Sequence, residues 1–231
     1  ASNGCRVIVP TLISRTVEER GPPGETGRAE LSSREFVYRP AFELGRHIVG
    51  YEVHKVLAAV DWLSKEHHTS IGVAGYGEGG LIGLLCAALD DRVDAALVKG
   101  AFGPREGMWR EPICRNLFGF LKKFGDAELA AMVWPRGLVV DFRPGPIVHL
   151  KSRGGAPGEL IPPSLDDATG EFRRAAAFLG IDLVQCDPDT EPPIAAVLCG
   201  PFSAGQAAWI PSGLRSASDQ EILTGSVFAK E

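Results

Sequence analysis

Gly75-Tyr76-Gly77-Glu78-Gly79-Gly80 is the stretch where residue type and spacing come nearest to chemistry. An apolar run, Ile71–Ala74, precedes it and a longer one, Leu81–Leu89, follows. This is the frame of the strand–turn–helix motif G-x-S-x-G, which lifts one side chain above a sheet as an attacking nucleophile. Glycine stands at 77, where that motif has its serine. The next backbone N–H, that of Glu78, would then face an oxyanion, stabilising charge as it develops. A nucleophile on such a turn is held at positive φ at a cost of about 1–3 kcal/mol. Glycine takes the same conformation without strain, so the turn survives loss of the nucleophile.

Two other readings compete at the same residues. Gly75-x-Gly77-x-x-Gly80 is formally the dinucleotide fingerprint G-x-G-x-x-G. That fingerprint wants an acid at the end of the following strand, to hold the ribose hydroxyls. Here the strand ends in Lys99-Gly100, and Asp90, Asp91 and Asp94 come too early. The third reading is structural: small residues that let a helix sit close to a sheet. The neighbours have similar pairs of roles. Glu78 would orient a water as general base, or favour the positive end of the helix that follows. Tyr76 would stand as an aromatic wall of a cleft. Arg105, Trp109, Arg110, Glu111 and Arg115 would hold an anionic ligand, or latch a loop through ion pairs. Cys86, two helical turns past Gly77, reads as a buried thiol, and Ser70 has no paired base. The histidines, His47, His54, His67, His68 and His149, show no metal-binding spacing, and no cofactor is implied.

These residues need a scaffold, and the chain is long enough to supply one. Its 231 residues are 45% apolar, enough for one large domain. A net charge of −5 gives no basic field and argues against nucleic acid as a partner. No apolar run reaches the ~18 residues of a membrane span. The N-terminus shows no signal-like pattern, which favours a cytoplasmic setting. The chain opens without Met, suggesting either a piece of a longer protein or Met removal before Ala1. Cys5, Cys86, Cys114, Cys186 and Cys199 have no C-x-x-C spacing and read as free thiols.

Apolar bursts alternate with helical patterns, predicting an α/β fold with a mostly parallel sheet flanked by helices. Strands are expected at Cys5–Val9, Ile71–Ala74, Ala95–Val98, Leu138–Val140, Leu183–Gln185 and Ile194–Leu198. Helices are expected at Tyr51–Glu66, where Val53, Val56, Leu57, Val60 and Leu63 recur at helical spacing, and at Leu81–Leu89, Asn116–Lys123, Asp126–Met132 and Asp166–Leu179. Ser164 and Gly180 are the natural caps of the last. Residues 11–50 read as a long connection, its second half ordered against the domain, and 143–163 as a Pro/Gly-rich loop. The main domain is expected over 1–186. A weakly patterned segment, 187–231, is either its end or a tail that needs other parts of a parent protein.

From Arg46 to Asp141 the chain resembles the α/β-hydrolase superfamily, nearest its dienelactone-hydrolase-like and acetyl-xylan-esterase-like members. The resemblance is carried by CRVIVPTL, EVHKVLAAVDWLSKE, AGYGEGGLIGLLCAALDDRVDAALVKGAF and AELAAMVWPRGLVVDF, in that order and at family-like spacing. It implies ester or lactone hydrolysis through an acyl-enzyme. Gly77 occupies the nucleophile position, the Glu78 N–H one oxyanion position, and Asp141 the triad-acid position. Asp141 reads equally as a carboxylate that caps the turn before Pro144. The family's histidine follows the acid on a later loop, whereas His149 comes only eight residues on. The family's first strands, with the loop that supplies the second oxyanion donor, are expected before Ala1. The resemblance therefore predicts a degenerate hydrolase domain that binds a small ester or anionic ligand, or supports other domains of a longer chain.

Overall fold

A computed structural model describes residues 5–21, 28–66, 70–151, 153–180, 184–185, 195–198 and 226–230. In chain order it contains β1 (Cys5–Ile8), β2 (Val17–Arg20), β3 (Ala29–Ser32), α1 (Ser33–Glu43), α2 (Ile48–Glu66), β4 (Ile71–Tyr76), α3 (Glu78–Leu89) and β5 (Val93–Lys99). There follow α4 (Asp126–Val133), β6 (Gly137–Asp141), β7 (Val148–Leu150), β8 (Gly158–Leu160), α5 (Leu165–Leu179), β9 (Val184–Gln185), β10 (Ala195–Leu198) and β11 (Ser226–Lys230).

Seven strands form one sheet in the order β1-β11-β4-β5-β6-β10-β9. β4, β5 and β6 pair in parallel. The other pairings, β1–β11, β11–β4, β6–β10 and β10–β9, are antiparallel. The sheet is therefore mixed, with a parallel three-strand centre and antiparallel wings, and not parallel through most of its pairings. The difference comes from two returning strands. β10 lies between β6 and β9, and β11 between β1 and β4. Apolar patterning marks a strand without giving its direction.

β4 and β6 are buried along their whole length, β5 everywhere but at Asp94, and α3 from Glu78 to Ala88. Their continuous apolar runs follow from covering on both faces. α2 presents Val49, Val53, Val56, Val60 and Leu63 to the same core. α5 begins where expected: the Ser164 hydroxyl accepts from the Asp167 N–H (3.1 Å), and Gly180 closes the helix at φ +63°.

Two expectations are corrected. Asn116–Lys123 is not a helix. It is a string of i→i+3 turns interrupted by Gly119 at φ +75°, with a short 3₁₀ turn at Phe120–Lys122. Residues 11–50 are not a connection with little structure, because β2 and β3 make an antiparallel hairpin there and α1 follows it. The loop at 143–163 likewise contains the small hairpin β7–β8. His67, His68, Leu183, Cys186, Ile194 and Cys199 lie outside the described residues.

Candidate functional site

The turn at 75–80 has an elbow's geometry. β4 ends at Tyr76, Gly77 turns the chain at φ +54° and ψ −119°, and α3 begins at Glu78. The Gly77 N–H donates to the Lys99 carbonyl (2.9 Å), and the Gly77 carbonyl accepts from Gly80 and Leu81. Strand and helix are so close that a Cβ on Gly75 would lie 2.0 Å from the Gly79 carbonyl oxygen. Above Gly77, however, the space is taken. A Cβ there would lie 2.7 Å from Cδ and 2.8 Å from Cγ of Pro146. The segment carrying Pro146 is seated on the sheet by Gly145, which packs against the Gly100 backbone, and by the Tyr76 hydroxyl, which donates to the Pro144 carbonyl (3.4 Å). Pro146 cannot be singled out from local sequence, since nothing in a Pro/Gly-rich stretch says where it folds back.

Asp141 ends β6, in register with Lys99, which is in register with Tyr76. Two strand spacings, roughly 9.5 Å, therefore separate Asp141 from the end of β4. Its carboxylate is held by its own loop. Oδ1 accepts from the Arg143 backbone N–H (3.0 Å), and both oxygens accept from the Arg143 guanidinium. His149 is exposed on β7, with Nδ1 2.7 Å from the Glu159 carboxylate. His47 places Nε2 3.0 Å from the Asn116 carbonyl, and His54 is exposed on α2.

Glu78 is the centre of a buried ionic network. Its carboxylate meets Arg34 at 2.5 Å, Arg15 at 3.3 Å and Arg115 at 3.7 Å. Arg34 also forms a two-pronged pair with Glu52 (2.7 and 2.8 Å), and Arg115 donates to Glu111 (2.5 Å). Arg34, Glu52, Glu78 and Arg115 are all buried. Burial pushes the Glu78 carboxyl up, but the combined pull of Arg115, Arg34 and Arg15 outweighs it and holds its pKa below the ordinary value. Glu78 is thus an ionised anchor and not a proton acceptor poised near neutral pH. Burial pushes the nearby Cys114 thiol up to about 11, and Cys86 up to about 12, so neither is a ready nucleophile. Arg34 and Glu52 do not stand out in the sequence, because Arg34 meets Glu78 only when α1 folds onto α3, 44 residues on.

A cleft of about 390 Å³ opens beside the elbow at the carboxyl ends of the central strands. Gly77, Gly100, Pro146, Arg105, Arg110 and Arg115 are among the residues that line it. The Arg105 guanidinium is buried in a two-pronged pair with Asp126 (2.9 and 2.7 Å) and also donates to the Ala101 carbonyl. Arg110 stacks on the exposed ring of Trp109, 4.8 Å from its centroid. Trp109 and Tyr76 are not in the lining: Tyr76 is buried under the Pro144 loop, with Lys99 over its ring. The structure therefore brings Gly77, Arg105, Arg110 and Arg115 to one cleft, while Asp141 is engaged by Arg143. Among the described residues no group of three His, Cys, Asp or Glu is placed to hold a metal ion. No family model, curated protein or solved structure matches the chain.

Proposed function

We propose that this chain is a hydrolase-type α/β domain whose elbow has closed, and that it acts by binding a small ester or anionic ligand, or as a scaffold within a longer protein. The resemblance to the α/β hydrolases supports the lineage, and the strand–turn–helix at Gly77 has the expected shape. The observation that carries the loss of acyl transfer is Pro146, which fills the place of a side chain at 77. The same ring argues against the dinucleotide reading, because a pyrophosphate would need the space at the start of α3. An ester or lactone hydrolase of unusual mechanism is the remaining alternative, and it would have to work from the neighbouring cleft.

Hydrolysis of p-nitrophenyl acetate tests this reading, with the native protein beside Gly77→Ser, Gly77→Ser/Pro146→Gly and Asp141→Asn. The native chain should give no turnover above background. Gly77→Ser alone should gain nothing, because its side chain meets the proline. Native turnover that Asp141→Asn abolishes would overturn the proposal. Titration with NAD or NADP should leave tryptophan fluorescence unchanged. Saturable quenching that Gly77→Glu removes would restore the dinucleotide reading.

A further inference from the structure

Away from the cleft, the segment 117–124 exposes several large apolar side chains. The N–H groups of Phe120, Lys122 and Lys123 donate to the carbonyls of Leu117, Gly119 and Phe120, a run of i→i+3 bonds. Phe118, Leu121 and Phe124 are all exposed, Phe118 at 88%, and Phe118 and Phe124 line one groove. Phe42, at the end of α1, is exposed as well and lines the same groove. A groove of about 580 Å³ lies here, lined by Phe42, Arg46, Leu117, Phe120, Lys123 and Phe124 among others. Contiguous exposed apolar surface of this kind marks an interaction site.

Its charge selects the partner. Lys122, Lys123 and Arg46 are exposed around the apolar side chains, and residues 112–125 contain no acid. The exposed acid adjoining the patch in sequence is Glu43. This basic character stands against a chain of net charge −5. We propose that this face docks on an anionic lipid surface. Phe118 and Leu121 enter the interfacial layer, while Lys122, Lys123 and Arg46 meet the headgroups. The contact is peripheral, since no helix among the described residues is long and apolar enough to cross a membrane. A two-fold contact with a second copy would bring two patches of the same positive sign together, which disfavours it.

Co-sedimentation of the full chain with vesicles tests the docking, using phosphatidylcholine alone and phosphatidylcholine mixed with phosphatidylserine. The chain should pellet with the mixed vesicles only, and less so as salt rises. Phe118→Ser should weaken partition by roughly tenfold. Lys122→Gln and Lys123→Gln should each weaken it by about fivefold. These side chains are exposed, so circular dichroism should show the variants folded. Failure to pellet with the mixed vesicles would overturn the proposal, as would binding insensitive to Phe118→Ser and to both lysine changes. Sedimentation velocity covers the other occupant: a dimer dissolved by Phe118→Ser would make the face a contact between copies and overturn it as well.

Discussion

A side chain at position 77 meets two separate obstacles, a positive φ and the Pro146 ring. Gly77→Ala should therefore destabilise the protein by about 1–3 kcal/mol from the backbone alone, with the collision added. Pro146→Gly in the same background should recover the collision and leave the backbone cost, which urea denaturation would separate. Glu78→Gln should cost about 1.5–3 kcal/mol, because it removes one of the two carboxylates that Arg34 and Arg115 each hold. Its pH dependence follows from the depressed pKa of Glu78. Below about pH 4.5 the unfolded chain takes up a proton that the folded site resists, so stability present above that pH is lost as the pH falls further. Glu78→Gln should flatten that slope in pH-resolved denaturation. The glycines of the elbow were legible in the sequence because adjacent residues make the turn. Pro146 and Arg34 were not, since each reaches the elbow across a long stretch of chain, and Glu52 acts through Arg34.

Among the elements, α5 was the most readable. Ser164, the apolar periodicity and Gly180 all point to one helix, and Ser164→Ala should cost about 1 kcal/mol in thermal or denaturant unfolding. α1 was missed because its composition is charged and Pro40 lies inside it. One local signal was present, Ser32-Ser33-Arg34-Glu35, the S-x-x-E pattern of a helix start. Ser32 does accept from the Glu35 N–H (3.1 Å), whereas the buried Glu35 carboxylate accepts from Arg39 and from the Ala156 N–H. The row from Asn116 to Lys123 misled in the opposite sense. Its apolar residues recur every third position, which suits a 3₁₀ run with an open face better than a helix packed on a core. Strand direction in the wings lay beyond local pattern, because β10 and β11 are placed by pairing partners and not by their own composition.

For the molecule as a whole, the parallel centre and its cleft were anticipated in outline, whereas the closure over the elbow depends on contacts between distant loops. The same holds for the ionic network, which joins α1 through Arg34, α2 through Glu52 and α3 through Glu78. Its consequence concerns how the protein opens. A helix that detached alone would break at least one of these buried ion pairs, a cost of several kcal/mol. Partial opening is thereby suppressed and the three helices should behave as one cooperative unit. Their most protected amides should exchange with solvent deuterium at a common free energy, and Arg34→Met/Glu52→Leu/Glu78→Leu should split that shared event into separate, shallower ones.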